Sequence, residues 1–384
     1  MAGSTGFPSD RGDVGHDASP TDASRATGSS AVASDHVAGN VEAGSVIGVD
    51  IGGANLKYST SDGRCVERSF EMWKRWQCLR DQLASDLRQF SECWQTGETP
   101  RLAVTMTGEL ADCFDSRREG VRFIVDAVVA SLPAAGLSEA RFYSTSGCFL
   151  AAESAKDGWE HVAASNWHAL TSCFATRGFS DSLLIDVGST TADVIAIRNG
   201  TLATEAKTDF ERLRDQSLVY VGCRRTPVCS LVSALRFRGS EVAVMREVFA
   251  TVGDARLLLG EQAEDSQDCF TADGKPSTRA HARVRMARMI GLDHDELTDS
   301  ESLDLAKQVR KAASRIIGEA VSRWCDGNES AWVLSGHGQD MVEVPAGVVS
   351  VDLRTELPAG VSRVAPAWAV AELLQLNLRK RSAR

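Results

Sequence analysis

Two turns of one design dominate this chain. Val46-Ile-Gly-Val-Asp50-Ile-Gly52-Gly53-Ala-Asn55-Leu-Lys57-Tyr58 is echoed by Leu183-Leu-Ile-Asp186-Val-Gly188-Ser189-Thr190-Thr191-Ala-Asp-Val-Ile195. Each is an apolar strand ending in Asp, a bend of Gly, Ser or Thr, and more strand-like sequence. Gly52 and Gly53 lack Cβ, so the backbone there can take unusual dihedrals and approach a ligand closely. Successive N–H groups in such a bend form a concavity that attracts anions. Asp50 and Asp186 stand at the same place in each unit and could hold Mg²⁺, which takes one or two carboxylates plus water and phosphate oxygens. One copy reads equally well as an ordinary hairpin with a solvated Asp. Two copies favour a cleft that grips a phosphate chain and a metal from both sides, with Gly52, Gly53, Asn55, Lys57, Gly188, Ser189, Thr190 and Thr191 as candidate phosphate-binding residues. Neither turn is a dinucleotide fingerprint or a P-loop, which need a helix right after the glycines or a Gly-Lys-Ser/Thr ending.

A chain of 384 residues is long enough for two domains with real cores. Its 43% apolar and 24% charged content is that of a soluble globular protein. A net charge of −10 argues against nucleic acid or an anionic membrane surface as partner. The ten cysteines show no Cys-x-x-Cys and no zinc-finger spacing, which reads as reduced thiols in a cytoplasmic protein. Residues 1–44 are rich in Ser, Thr, Ala, Gly and Asp, with six acids against two arginines. Their composition predicts a disordered acidic tail and not a secretory signal. No run of about 18 apolar residues occurs, so no membrane span is expected.

Strand and helix patterns then alternate. Residues 74–94 carry Trp76, Leu79, Leu83, Leu87, Phe90 and Trp94 at helical spacing. A buried strand is predicted at 102–106, a helix at 120–132 and a strand at 141–145. This places an α/β half at about 45–180 and a second half at 181–384. Residues 203–300, more polar and poorer in strand signals, read as an insertion over the cleft. A helix follows at 303–324, a short strand at 332–334, and a terminal helix from about 366, where Pro366 suits a first turn.

Several residues carry chemical potential. Thr107-Gly-Glu109-Leu-Ala-Asp112 sits at a strand end, and if Gly108 opens a helix the two acids share a face. They suit metal binding or general-base work, or else a capped helix start with solvated acids. An arginine of Arg117-Arg118-Glu-Gly120 could clamp diphosphate or form a surface ion pair. Arg224 and Arg225 form a candidate second anion site, and Asp254, Arg256 and Asp273 add charge within the insertion. Ala164-Ser-Asn166-Trp167-His168 offers an amide, an aromatic face and an imidazole, with His168 either catalytic or structural. Ser335-Gly336-His-Gly338 is a further Gly-rich turn, at the end of the strand predicted at 332–334.

The two-hairpin layout resembles the actin-like ATPase superfamily, an α/β, ribonuclease H-like two-domain fold with a cleft between duplicated halves. With the segments at 105–114, 164–168, 222–229 and 253–255, the set is similar to the hydantoinase/oxoprolinase-related group, in its branch linked to tetrahydromethanopterin one-carbon transfer. The resemblance covers roughly residues 45–380. It implies a transferase of methanofuran biosynthesis, joining an aminomethylfuran-methyl diphosphate to the phenol oxygen of γ-glutamyltyramine and releasing pyrophosphate. It further implies that the hairpins grip the leaving diphosphate, that Mg²⁺ sits at Asp50 and Asp186, and that Glu109, Asp112 or His168 accepts the phenol proton. The nucleoside element is reduced to Ser335–Gly338, which leaves ATP use open, and an ATP-dependent kinase or amide-ring hydrolase is the alternative. The expected partners are small molecules, an organic diphosphate and a phenolic amine, and a homo-oligomer is left open.

Overall fold

The structure, a computed structural model, describes residues 46–92 and 100–382. The expected acidic tail and Trp94 lie outside the described residues. Two sheets carry the fold. In the first, β1 (Val46–Ile51) forms a hairpin with β2 (Asn55–Thr60), which pairs antiparallel with β3 (Cys65–Ser69). On its other side β1 pairs in parallel with β4 (Arg101–Met106), followed by β5 (Ala140–Tyr143) and the short β6 (Phe149–Leu150). All six residues of β1 are buried, which is why its sequence, Asp50 apart, is apolar without alternation.

The second sheet repeats this plan. There β7 (Ser182–Val187) makes a hairpin with β8 (Ala192–Arg198), whose end pairs with β9 (Thr201–Leu202). Strand β10 (Leu218–Val219) continues the sheet beyond β8. A separate hairpin, β11 (Ala234–Phe237) and β12 (Ser240–Ala243), precedes β13 (Ala331–Ser335), which lies parallel to β7 and to β14 (Ser350–Asp352). The spatial orders β3-β2-β1-β4-β5-β6 and β10-β8-β7-β13-β14 match strand for strand over five positions.

Helices make three layers around these sheets. The outer face of the first sheet is covered by α1 (Leu79–Glu92) and α2 (Arg117–Ser131). The apolar stripe predicted over residues 74–94 begins as a short helix at Met72–Arg75 and a 3-10 turn at Trp76–Cys78, then buries Leu79, Leu83 and Leu87. Helix α3 (Asn166–Thr176) opens the central layer. After α4 (Asp209–Asp215) come α5 (Val252–Leu259), α6 (Arg279–Arg288) and α7 (Asp299–Trp324). These last three bury Ala255, Met286, Leu305, Val309 and Ile317 against the outer face of the second sheet. The segment expected as an insertion over the cleft divides: α5 and α6 form an outer helical layer on the second sheet, while α4 and the loops at 218–225 and 261–270 line cavities between the two halves.

The terminal helix α8 (Ala365–Ser382) completes the central layer with α3. Chain order groups α8 with the second half, yet it packs on β1, β2 and β4. Val370, Ala371 and Leu374 meet Val46, Ala103 and Tyr143 of the first sheet, while Trp368 and Ala369 join Leu184 and Val333 of the second. The approach to β1 is so close that a Cβ on Gly48 would lie 1.8 Å from the Ala367 carbonyl oxygen. Among the described residues no helix is long and apolar enough to cross a membrane.

Replacing Gly48 with Ala must push α8 away from β1, at an expected loss of about 2–4 kcal/mol in denaturant unfolding. Gly318→Ala, on an exposed turn of α7 with nothing within 4 Å of the new methyl, should change stability by about 1 kcal/mol in the favourable direction. Equal stability of the two variants would refute the close-approach argument.

Candidate active site

Both hairpin turns close in the same way. The Gly52 N–H donates to the Asn55 carbonyl at 3.0 Å, and the Gly188 N–H donates to the Thr191 carbonyl at 2.8 Å. A Cβ at Gly52 would stand 2.9 Å from that Asn55 oxygen, so the first turn needs glycine there. The loop at 222–225 lies on the second turn, with the N–H groups of Arg224 and Arg225 donating to the Ser189 carbonyl at 3.1 and 2.8 Å. Gly52, Gly53, Asn55 and Lys57 from one half, with Gly188 through Thr191 from the other, line one cavity of about 510 Å³. All eight candidate phosphate-binding residues of the hairpins thus come together.

The hairpins also set the charges. Strand register places Asp50 opposite Lys57 and Asp186 opposite Asp193. Burial pushes the Asp50 carboxyl up to about 6, against the pull of Lys57, with Asp193 and Glu67 adding to the rise. Burial likewise pushes Asp186 up to about 6, reinforced by Asp193. For Lys57 burial favours the neutral amine, but Asp50, Glu67 and Asp186 outweigh it and hold the ammonium above its usual range. Asp193 is neutralised by the buried Arg212, at 2.5 Å, which also donates to the Ser217 carbonyl at 2.9 Å and lies 4.1 Å over the Trp167 ring.

Asp50 and Asp186 fit a hard divalent cation. Asp50 is 3% exposed, and its Oδ1 has no hydrogen-bond partner. Both acids line the cavity, and it is chiefly burial that raises their affinity for protons. No group of three or more His, Cys, Asp or Glu among the described residues could hold a metal alone. A cation here would complete its shell with water and phosphate oxygens, the usual arrangement for Mg²⁺.

The three candidate bases separate. Gly108–Leu110 is a single 3-10 turn, and Ala111 is already extended, so Glu109 and Asp112 do not share a helical face. Asp112 is exposed and lines the cavity. Glu109 is 1% exposed, is absent from the lining, and accepts the Ala164 N–H at 2.9 Å. That bond holds Ala164, whose φ is +48°, at the cavity wall. Burial pushes the Glu109 carboxyl up to about 7. His168 is also outside the lining. Its Nδ1 meets Tyr143 Oη at 3.0 Å and Ser172 Oγ at 3.2 Å within the central layer. Burial, aided by Lys207 and Arg212, lowers it to about 3, which leaves the imidazole neutral.

The remaining candidates are distributed beyond the first cavity. Ser335 is buried, and Gly336, at φ +86°, passes beneath the second hairpin, where a Cβ would stand 2.6 Å from Asp186 Oδ1. Gly338 packs as closely on Cys223. Arg224 pairs with Asp268 and lines a second cavity of about 950 Å³, which shares Asn55, Ser189 and Arg225 with the first. Arg225 lies 5.2 Å from the rings of both Trp73 and Phe270, joining the two halves at that neck. Arg117 starts α2 with its guanidinium 5.9 Å over Trp159, away from the cavity lining. Asp254 and Asp273 both pair with the buried Arg285, and Arg256 pairs with Asp340, so these charges hold the outer layer together.

Sequence reading passed over Trp73, Asp193, Asp209, Arg212 and Tyr220, all of which line the first cavity. Asp193 had a signal, since it follows Asp186 by seven residues as Lys57 follows Asp50. The others depend on how loops fold back and had none.

Two sheets of one strand order, each presenting its leading hairpin to a shared cavity, define a duplicated ribonuclease H-like, actin-like α/β protein. The chain belongs to the hydantoinase/oxoprolinase family, whose model matches residues 101–376. It is 32% identical over 341 residues to a Methanocaldococcus jannaschii protein named (4-{4-[2-(gamma-L-glutamylamino)ethyl]phenoxymethyl}furan-2-yl)methanamine synthase, covering 87% of this chain and 99% of that one. A Methanococcus vannielii protein of the same name is 30% identical over 205 residues, covering 51% of this chain and 91% of the relative. Among solved structures, a nucleotide-free acetone carboxylase superposes with TM-score 0.48 and 9% identity, over 85% of this chain and 69% of that one.

Glu109 yields a test. Its carboxyl sits near 7 in the folded protein against 4.5 ordinarily, so the native state keeps a proton that the unfolded chain releases. Stability should therefore fall as pH rises from about 4.5 through 7. Glu109→Gln keeps the acceptor for Ala164 and removes the titration. Its advantage over wild type should grow across that window, to about 1–3 kcal/mol at pH 8. A pH-independent difference in unfolding free energy would refute this account.

Proposed function

We propose that this protein is a transferase that joins an aminomethylfuran-methyl diphosphate to the phenol oxygen of γ-glutamyltyramine and releases pyrophosphate. The step belongs to methanofuran-type cofactor biosynthesis, in tetrahydromethanopterin-linked one-carbon metabolism. The observation that carries this reading is the pair of facing hairpins with Asp50, Asp186 and Lys57 at one cavity, in a chain whose relatives are named for a furan–phenoxymethyl ether with a primary amine.

In this reaction the phenol oxygen forms a C–O bond to the furfuryl carbon. The bond from that carbon to the diphosphate oxygen breaks, and its electron pair leaves with pyrophosphate. The hairpin N–H groups and Lys57 hold the diphosphate, where charge accumulates as the bond breaks. Mg²⁺ held by Asp50 and Asp186 would supply further charge neutralisation there. Asp112, the candidate base that reaches the cavity, accepts the phenol proton. Trp73, Leu110, Leu218 and Tyr220 provide apolar and aromatic wall for the two rings. Small-molecule substrates and nine free thiols among the described residues accord with a cytoplasmic enzyme.

The second cavity, which shares Asn55, Ser189 and Arg225 with the first, favours one alternative: an ATP-dependent kinase or hydantoinase/oxoprolinase-type hydrolase. Mass spectrometry of the full chain with Mg²⁺, both substrates, and ATP present or absent separates the two. The transferase reading expects the ether and equimolar pyrophosphate without ATP, and a fall in kcat of about 10²–10³ for Asp50→Asn or Asp186→Asn. Consumption of ATP with no ether would instead establish the alternative.

A further inference from the structure

Five carboxylates and three cationic side chains line the first cavity, an odd balance for a site that holds only a diphosphate. Most of them are accounted for. Lys57 lies opposite Asp50 and feels Asp186 as well, Arg212 is committed to Asp193 and the Ser217 carbonyl, and Arg225 lies near two aromatic rings. Asp112 and Asp209 remain, one from each half of the chain. Neither forms a hydrogen bond or an ion pair with a described residue. Asp209 is the more shielded of the two, since Asp112 is exposed.

An acid at the first position of a helix has a bland explanation, favourable interaction with the helix dipole. At α4 that interaction asks only for an acid in the first turn, and the capping hydrogen bonds are made by other residues. Thr208 and Glu211 form a reciprocal capping box, with the Thr208 side chain accepting from the Glu211 N–H and Glu211 accepting from the Thr208 N–H. Asp209 is thus free of capping duty and turned to the cavity. Burial pushes its carboxyl up, against the pull of Arg212 and Arg117. A half-buried carboxylate without a partner gains more from a cation than a solvated one does.

On the transferase reading, the donor offers such a cation, because its aminomethyl group is an alkylammonium ion at neutral pH. We infer that Asp209 binds the primary ammonium group of the furan donor and selects the amine-bearing donor over its uncharged counterpart. The donor is then held at both ends by opposite charges. The hairpins take its diphosphate and Asp209 its ammonium, with the reacting carbon between.

The acceptor also carries an ammonium, on its glutamyl end, so the test crosses two donors with two acceptors. The full chain with Mg²⁺ is given the aminomethylfuran diphosphate or the methylfuran diphosphate, and γ-glutamyltyramine or glutaryltyramine, which lacks the amine. Wild type should prefer the amine-bearing donor by about 10–100-fold in kcat/KM, mainly through KM. In Asp209→Asn that preference should collapse to within about threefold, and Asp209→Glu should restore part of it. Neither variant should alter the preference between acceptors. Wild type is also informative alone: 2-(aminomethyl)furan should compete with the donor better than 2-methylfuran does.

Equal use of both donors by wild type would overturn the inference and leave the transferase reading standing. So would a donor preference that survives Asp209→Asn, or a loss of selectivity that follows the acceptor's amine. No ether from any pairing would instead overturn the transferase reading, and this inference with it.

Discussion

The seam between β1 and α8 is the contact on which the rest depends. Gly48 lets the Ala367 carbonyl come where any side chain would collide. The same helix carries Trp368 and Ala369 to the second sheet. Together α8 and α3 therefore form one apolar layer shared by both sheets, and burial on both faces makes it costly to separate them. Each sheet contributes its leading hairpin at the same end of its first strand. With the sheets tied through a common layer, the Gly52 and Gly188 turns come to line one cavity. The cavity is thus a consequence of how the duplicated halves are joined.

That arrangement has an electrostatic cost. Asp50, Asp186 and Asp193 approach one another in a buried region, and two of them are driven towards protonation by it. Lys57 and Arg212 relieve part of the strain without removing it, as the unpartnered Asp50 Oδ1 attests. Buried charge of this kind seldom stabilises a fold, since well-packed apolar residues of the same volume do as well or better. Its retention makes sense where a ligand completes the charge balance. By contrast, Arg285 with Asp254 and Asp273, and Arg256 with Asp340, are matched pairs that hold helices and loops of the outer layer. Matched and unmatched charges thus separate framework from site.

The hairpins were legible in the sequence because their constraints are local: an apolar strand, an Asp at its end, and residues that permit a tight turn. The helices at 79–92 and 299–324 were legible for the same reason, through their apolar spacing. Gly48 offered a fainter clue, since a glycine inside a strand often marks close backbone approach, but nothing local says that residue 367 is the partner. Side-chain direction was harder still. Glu109 and Asp112 are three residues apart, and one 3-10 turn sends them to different environments. His168 drew attention by residue type, and the burial that keeps it out of the cavity lining and neutral comes from the packing of α3. The polar stretch after 203 suggested a cover for the cleft; part of it lines the cavities, and its helices at 252–288 serve the second sheet, a division that depends on how its loops fold back.

The two cavities meet at Ala54, Asn55, Ser189 and Arg225, and on the transferase reading a diphosphate held by both turns would sit at their neck. A displacement at carbon brings the nucleophile in on the side opposite the leaving group. On the transferase reading, the furan and its acceptor therefore share one cavity, and departing pyrophosphate faces the other. The linings differ in the sense this requires. The first has Trp73, Leu110, Leu218 and Tyr220 for ring systems, with Asp112 free to take a proton. The second is dominated by charges already committed, among them Arg224 to Asp268 and Arg256 to Asp340. Bond formation fits the side where aromatic surface and an unpaired carboxylate coincide. A hairpin pair that in a kinase would hold the group being transferred would here hold the group being expelled, and the electrostatic demand on Asp50, Lys57 and Asp186 is the same in both.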